Sequence, residues 1–321
     1  MAKKKHQEYV IGVDLGGMSA KFGLFQLDGT RVDMWTIPTR TEKKGSLIIP
    51  DMGASIRERI KMNGLSLKDI IGVGVGVPGA VLEGGVVNRC ANLGWGKTPA
   101  QELMEKELPG VKTVRIANDA NVAALGEMWQ GAGKGTKNLC MVTLGTGVGG
   151  GIVMDGKIVQ GAFGAGGEIG HIPVNPNETD VCGCGKRGCL EQYISALGVI
   201  RLTEKALRET DTPSSLRELD TPLTARAVFD AAREGDAFAK DRVEYYTDAL
   251  GRALGAVACV IDPDLFLLGG GVSRAGKILM DPVREAYKKY AFHASRKTKI
   301  RFAKLGNDAG MYGAAKLVLP D

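Results

Sequence analysis

A layout that occurs twice constrains this chain more than any other feature. Residues 9–25 read as a strand, a turn at Gly16-Gly17 and a second strand, and Asp28-Gly29 then makes a hairpin turn. Residues 139–157 repeat that order, with a strand, the turn Gly145-Thr146-Gly147, a second strand and an Asp155-Gly156 hairpin. Gly23-Leu24-Phe25 of the first copy corresponds to Gly151-Ile152-Val153 of the second. Two such halves predict a duplicated α/β fold with a cleft, in which the two glycine turns face one triphosphate from opposite sides. Asp14 closes the first strand beside amides that glycine leaves uncovered, which suits phosphate and a hydrated magnesium ion. An Asp-x-Gly-Gly turn is also often no more than a turn.

The segments between and after the copies are mixed helix and strand. Residues 46–63 read as a helix and 70–77 as a buried strand stopped by Pro78-Gly79. A loop from Asn88 to Trp95, containing Asn92, leads to a helix over 99–107 and a short strand over 114–117. That strand runs into Asn118-Asp119-Ala120-Asn121 and a helix reaching Trp129. Asn118 and Asp119 are natural N-cap positions. They also stand at the carboxyl end of a strand, where open α/β sheets place ligands. A carboxylate there can take the proton of an attacking hydroxyl, help worth roughly 10²–10⁴-fold in rate. Residues 193–258 read as mostly helical with a polar break near 211–215, helical patterns restart over 216–223 and from Ala225, and 250–260 is an apolar helix predicted to be buried. A strand over 265–268 ends in Gly269-Gly270-Gly271, whose bare backbone lets a flat ring approach and suits the adenosine moiety. A helix around 277–290, a strand at 300–302 and a final helix over 311–319 complete the chain.

One short window carries a different chemistry. Gly167-Glu168-Ile169-Gly170-His171 is followed by Cys182-Gly183-Cys184-Gly185-Lys186-Arg187-Gly188-Cys189-Leu190-Glu191. A histidine ahead of Cys-x-Cys-x4-Cys offers one imidazole and three soft thiolates, which suits a closed tetrahedral zinc site. Gly183, Gly185 and Gly188 let a tight knuckle form so that the sulfurs converge. Glu168 and Glu191 bracket the cluster, and two anchored carboxylates with an imidazole are suited to grip sugar hydroxyls. Metal is favoured over a disulfide framework because the N-terminus has no apolar signal segment, so a reducing, cytoplasmic setting is expected. Cys90, Cys140 and Cys259 lie in apolar surroundings and read as packing residues.

Bulk composition excludes several classes. The chain has 321 residues, 44% hydrophobic and 24% charged, which is ordinary for a globular enzyme. Its net charge of +6 is spread along the chain. The one dense basic run, Lys3-Lys4-Lys5, reads as a solvated terminus rather than a nucleic-acid arm. No run approaches about 18 uninterrupted apolar residues, so no membrane span is expected.

Taken in order, Asp14-Leu15-Gly16-Gly17, Val77-Pro78-Gly79, Asn118-Asp119-Ala120-Asn121, the run from Leu144 to Gly151, Gly167-Glu168-Ile169-Gly170-His171, the cysteine segment ending at Glu191, and Leu268-Gly269-Gly270-Gly271-Val272 span almost the whole chain. Together they resemble the repressor/open-reading-frame/kinase (ROK) family of sugar kinases, and within it the bacterial glucokinase branch. The resemblance implies an α/β, actin-like ATPase fold, a ribonuclease H-like duplicated two-domain architecture with a cleft. It implies a small domain over 1–118, joined by the C-terminal helix 308–321, and a large domain over 119–307 carrying a zinc segment at 171–189. The implied reaction is transfer of the ATP γ-phosphoryl group to the 6-hydroxyl of glucose. The alternatives are another hexose (fructose, mannose, N-acetylmannosamine or N-acetylglucosamine) and, less in keeping with the residues, a sugar-responsive regulator. Only about eight residues precede the first strand, too few for the helix-turn-helix domain such a regulator needs.

By the same resemblance Asp119 is the catalytic base, and Gly79, Asn118, Asp119, Glu168, His171 and Glu191 hold the sugar. Asp14, Gly16, Gly17, Ser19, Lys21, Thr146, Gly147, Gly270 and Gly271 surround ATP and its Mg²⁺, and His171, Cys182, Cys184 and Cys189 bind structural Zn²⁺. The implied partners are a small hexose and a second copy in a homodimer, with no nucleic acid and no membrane. Two departures stand out. Met18 occupies the position where the family's first loop carries threonine, leaving Ser19 to supply the hydroxyl. Ten residues separate His171 from Cys182, one more than the common spacing, and such an insertion in a loop is thermodynamically cheap.

Overall fold

The computed structural model describes residues 7–320; Lys3-Lys4-Lys5 lies outside them. Twelve strands are present among the described residues: β1 (Tyr9–Leu15), β2 (Ser19–Gln26), β3 (Arg31–Pro38), β4 (Ile70–Val77), β5 (Val81–Leu82), β6 (Val86–Val87), β7 (Thr113–Asn118), β8 (Leu139–Leu144), β9 (Val148–Met154), β10 (Lys157–Ile158), β11 (Leu265–Gly269) and β12 (Lys299–Phe302). Ten of them form two five-stranded sheets, in the orders β3-β2-β1-β4-β7 and β10-β9-β8-β11-β12. In each, an antiparallel hairpin at one side gives way to parallel strands at the other: β1–β2 and β2–β3 are antiparallel while β4 runs parallel to β1 and β7. In the second sheet β9–β10 is antiparallel, and β11 runs parallel to β8 and β12. The duplication expected from the repeated glycine hairpins is therefore present in strand order and direction.

Two compact units make up the chain: residues 1–137, 151–167 and 304–321 in one, and residues 138–150 and 168–303 in the other. This division departs from a boundary at residues 118/119. The helix Asp119–Gln130 continues directly from β7 and packs on the C-terminal helix Ala309–Lys316, so both stay with the first unit.

Glycine dictates how closely the C-terminal helix can lie in that unit. Gly12 on β1 and Gly74 on β4 are paired across the strands. A Cβ at either would stand 1.8 Å from a carbonyl oxygen of the helix, Met311 O or Ala314 O. On the opposite side a Cβ at Gly313 would stand 1.6 Å from Val122 O, and one at Gly126 2.2 Å from Ala309 O. The helix thus touches sheet and neighbouring helix at backbone distance, where dispersion contacts are dense. The other sheet face is covered by Ile48–Met62 and Ala100–Glu107, burying Ile11, Val13, Phe22, Leu24, Ile56, Val73 and Val75. In the second unit the long helix Ala237–Ile261 packs on Lys277–Tyr290, again through a glycine: a Cβ at Gly251 would meet that of Ala286 at 2.4 Å.

Three local expectations need correction. Residues 216–223 do not form a helix; a short 3₁₀ turn, Ser215–Arg217, is followed by irregular chain up to the helix Ala225–Glu234, capped by the Thr224 hydroxyl accepting from Ala227 N. Pro222 explains this, because it lacks a donor and disfavours helical geometry in the residue before it. Cys259 is exposed, unlike the buried Cys90 and Cys140. Val260, beside it near the helix end, is 83% exposed, so burial of that helix stops at Ala258. No described helix is long and apolar enough to cross a membrane.

Candidate active site and metal centre

In the first unit the carboxyl ends of β1, β4 and β7 gather the candidate residues. Asn118 caps the helix Asp119–Gln130, its Oδ1 accepting from Asn121 N at 3.1 Å. Its Nδ2 donates to Gly79 O at 3.1 Å, and Gly79 takes a positive φ of 94° that a Cβ would strain. Cap and turn therefore brace each other and fix where Asp119 begins. Asp119 Oδ1 accepts from Ala120 N at 2.8 Å. Asp14 sits opposite Lys21 across the β1–β2 hairpin. Burial and the neighbouring Asp119 charge push its carboxyl up to about 6, and Lys21 opposes that rise. A buried carboxyl raised in this way by a neighbouring carboxylate favours a cation beside it.

Around Asp14 the turn is tightly held. Gly16 N donates to Ser19 O at 2.9 Å, and the Thr39 hydroxyl donates to Gly16 O at 2.7 Å. Gly17 faces Asn92, whose carbonyl would be 3.3 Å from a Cβ there. Met18 at the tip is 89% exposed, so the loop's departure from threonine leaves a side chain in solvent. Lys21 is engaged elsewhere: its ammonium donates to Asp308 Oδ1 at 3.0 Å and to Asn307 O at 3.1 Å. Arg31 reaches the other oxygen of Asp308 at 3.1 Å.

The second unit holds the other half of the candidate set. Gly145 N donates to Gly147 O at 2.9 Å, closing the turn between β8 and β9, and Ala196 N donates to Gly145 O at 2.8 Å. Glu191 Oε2 accepts from Val148 N at 3.0 Å. A Cβ at Gly147 would come within 2.3 Å of that same oxygen, so only glycine leaves room for the carboxylate. Gly270, with φ of 85°, lies against the end of β8; a Cβ there would stand 2.4 Å from Leu144 O. The Ser273 hydroxyl donates to Gly270 O at 2.7 Å, while the space at Gly271 is open. The two glycine turns of this unit are thus side by side.

The candidate metal-ligand residues lie together. The ligand atoms of His171, Cys182, Cys184 and Cys189 all lie within 4.8 Å of one another. His171 Nδ1 is 3.7 Å from Cys182 Sγ, and Cys184 Sγ is 3.6 Å from Cys189 Sγ. A tetrahedron with bonds of about 2.3 Å has edges of about 3.8 Å, so the spacing and the donor set both fit such a centre. Burial, then the adjacent thiols, push Cys189 up to about 12, whereas the Lys186 amide leads a set of donors that lower Cys184. Crowded thiols that resist ionising together are what a dication relieves. With Nδ1 towards the sulfurs, His171 Nε2 points to Glu168, 3.9 Å from Oε2. Glu191 Oε1 lies 3.8 Å from Cys182 Sγ, so this side chain links the cluster to the Gly145–Gly147 turn.

Several supporting residues were not anticipated. Gly310, near the start of the C-terminal helix, lies against Asp14: a Cβ there would stand 2.5 Å from Asp14 Cγ. Glu127 is fully buried and accepts from Ala132 N, Lys304 N and Leu305 N. A lone acid among apolar helix residues was its visible signal. Behind the metal loop, the Tyr193 hydroxyl donates to Glu178 Oε2 at 2.9 Å, and Arg201 Nη2 donates to the same oxygen at 3.2 Å.

The comparisons with known proteins agree with this arrangement. The family model described as the ROK family matches residues 10–320. A glucokinase of Halalkalibacterium halodurans is 40% identical over 316 residues, 97% of this chain and 94% of that protein. Among solved structures, the ROK hexokinase of Thermus thermophilus superposes with a TM-score of 0.81 at 29% identity, covering 97% of both chains. A ROK family glucokinase from Streptomyces griseus, solved in complex with glucose and AMPPNP, gives 0.73 at 32% identity, covering 96% of this chain and 98% of that one. The fold is the actin-like ATPase fold of those kinases. With nearly every described residue inside the match, the chain belongs to the ROK family.

Proposed function

We propose that this chain is an ATP-dependent glucokinase, transferring the γ-phosphoryl group of ATP to the 6-hydroxyl of glucose and releasing glucose 6-phosphate and ADP. The observation that carries this reading is the near-full-length likeness to a glucokinase at 40% identity. The test is a coupled ADP-release assay with ATP and a panel of glucose, fructose, mannose, N-acetylmannosamine and N-acetylglucosamine. Glucose should give the highest kcat/KM; a higher value for any other sugar overturns the assignment.

Such transfer depends on positioning and charge stabilisation rather than covalent chemistry by the protein. Asp119 takes the proton of the 6-hydroxyl, held in place by its position directly after the Asn118 cap. Gly79, Asn118, Glu168, His171 and Glu191 bind the sugar. His171 suits this because its Nε2 faces away from the thiols, and Glu168 because its carboxylate is half-exposed beside that nitrogen. Gly16, Gly17, Ser19, Lys21, Thr146, Gly147, Gly270 and Gly271 surround the nucleotide, the glycines with uncovered backbone, Ser19 and Thr146 with short hydroxyl side chains and Lys21 with its ammonium. Asp14 receives the hydrated magnesium ion of the substrate, whose charge favours the ionised carboxylate that burial opposes.

The cluster His171, Cys182, Cys184 and Cys189 would hold zinc, which supplies a rigid frame for the loop bearing Glu168, His171 and Glu191. Epimers that leave these hydrogen-bonding groups unpaired are then rejected. The same reading makes the protein a cytoplasmic homodimer without a nucleic-acid partner. Light scattering on the eluting peak tests the dimer: a monomer mass at micromolar concentration refutes it.

A further inference from the structure

We propose that a cavity at the edge of the second sheet binds a small, multiply charged phosphate ligand. The cavity encloses about 420 Å³, within the range of small-molecule pockets. Its walls carry Arg284, Lys288, Arg296, Lys297, Lys299 and Arg301, and no carboxylate lines it. Three elements supply these cations: the helix Lys277–Tyr290, the turn Ser295–Lys297 and β12. The floor is Tyr287 and Ile300, both buried, and the Tyr287 hydroxyl is already spent on Ser295 O at 2.7 Å.

Most of this charge is uncompensated. Arg284 has Asp281 at 3.8 Å and Lys288 has Glu285 at 2.8 Å. Among the described residues no carboxylate makes an ion pair with Arg296, Lys297, Lys299 or Arg301. Cations gathered around a concavity repel one another, and a low-dielectric wall focuses their field onto whatever anion enters. β12 is the edge strand, and charge on an edge discourages pairing with other chains. Lys299 and Arg301 would suffice for that. It gives no reason for the helix and the turn to bring four more cations to the same hollow.

The site is separate from the glycine turns of this unit. β12 runs parallel to β11, with Lys299 beside Leu265 and Arg301 beside Leu267. Gly270 lies beyond the far end of β11, five residues on from the one facing Lys299, or roughly 16 Å of extended chain. The cavity is therefore at the amino end of the parallel strands, away from the carboxyl ends where the candidate catalytic residues stand. Its chemistry calls for a compact anion bearing two or more negative charges, which guanidinium and ammonium groups bind by charge-assisted hydrogen bonds.

The test is calorimetric titration of the full chain with inorganic pyrophosphate and, separately, with glucose 6-phosphate. Wild type is compared with the double variant Lys297→Ala/Arg301→Ala and with Lys299→Gln, all exposed positions. Anion bound at the catalytic site is common to all three proteins, so the difference between isotherms reports the cavity. We expect the double variant to lose about tenfold in affinity or more for one equivalent of ligand, with kcat and both KM values unchanged. Its melting temperature without ligand should not fall, because like charges have been removed. Tighter binding of one titrant than the other distinguishes a phosphorylated sugar from a free inorganic anion, and either supports the site. Superimposable isotherms for wild type and both variants overturn it. So does a DNA duplex that binds more tightly than both titrants and is lost in the same variants, since the surface would then be a nucleic-acid face.

Discussion

Replacing Asp14 by asparagine should make the unliganded protein more stable and the enzyme inactive. The carboxyl is pushed up from 3.8 to about 6, first by burial and then by the Asp119 charge. A carboxyl with a raised folded value favours its neutral form. The stability tied to that form is complete below 3.8 and is lost as the pH climbs through 6, so at pH 7.5 the full penalty of holding the charge is present. Raising the carboxyl from 3.8 to about 6 corresponds to about 3 kcal/mol. This is an upper bound, because the positive end of the helix Ala309–Lys316, whose second residue abuts Asp14, favours the ionised carboxylate. Asparagine keeps the shape and removes the charge. Thermal melts at pH 7.5 without nucleotide should therefore place Asp14→Asn above wild type by up to about 5–10 °C. The gap should narrow between pH 6 and pH 4 and vanish below, where wild type is protonated in both states. Adding Mg-ATP should raise the wild-type midpoint by mass action and leave the variant nearly unmoved. Equal midpoints at pH 7.5, or a gap that does not change with pH, would refute the burial argument; full turnover by the variant would refute the role given to Asp14.

Other perturbations separate the remaining roles. Asp119→Ala should lower kcat by about 10²–10⁴-fold while glucose still binds by calorimetry; a fully active variant removes Asp119 as the base. A strong chelator should release about one zinc per chain and weaken glucose binding, since ligation and ordering of the loop are coupled; metal-free protein with undiminished affinity contradicts the proposed centre. Gly147→Ala should drive the Glu191 carboxylate off Val148 N, given a Cβ 2.3 Å from Oε2, and raise the KM for glucose or ATP; unchanged constants would show that the turn yields freely. Gly313→Ala should cost about 3 kcal/mol or more in urea unfolding, because its Cβ would stand 1.6 Å from Val122 O in a helix contact with no slack; an unaltered midpoint would mean that the helices separate without cost.

Local pattern carried much of the topology. The two glycine hairpins foretold two sheets of like topology, and the Asn118 cap forms the bond its position suggested. The His-Cys cluster closes because its four ligands lie near one another in the chain and three glycines let the backbone turn tightly between them. Contacts between distant segments left no such trace. Nothing about Gly310 announces that it will rest on Asp14, nor does a strand glycine such as Gly12 or Gly74 say which helix will lie on it. The helical period over 216–223 was overridden by Pro222. Cys259 was read from its apolar neighbours, yet a helix turns one residue in every few towards solvent whatever its neighbours are.

The two copies of the sheet have diverged in how they tolerate a demanding site. In the first, position 14 at the end of β1 is an aspartate; in the second, the residue before Leu144 at the end of β8 is Thr143. The charged copy carries the desolvation penalty of Asp14 and is backed by a helix packed at backbone distance through Gly12, Gly74, Gly126 and Gly313. Dense packing of that kind keeps a strained carboxylate where it is, since neighbouring atoms have no room to relax around it. The second copy has Thr143 in place of that acid, and it is followed by a largely irregular segment from Glu168 to Glu191. Irregular segments of this length in compact domains are most often functional. Four side chains that could hold a metal ion converge there, and Glu191 Oε2 accepts from Val148 N. The candidate residues of the first unit are thus held by glycine-mediated packing, whereas those of the second would take their stiffness from a bound metal, so chelation should loosen the second set and leave the first unchanged.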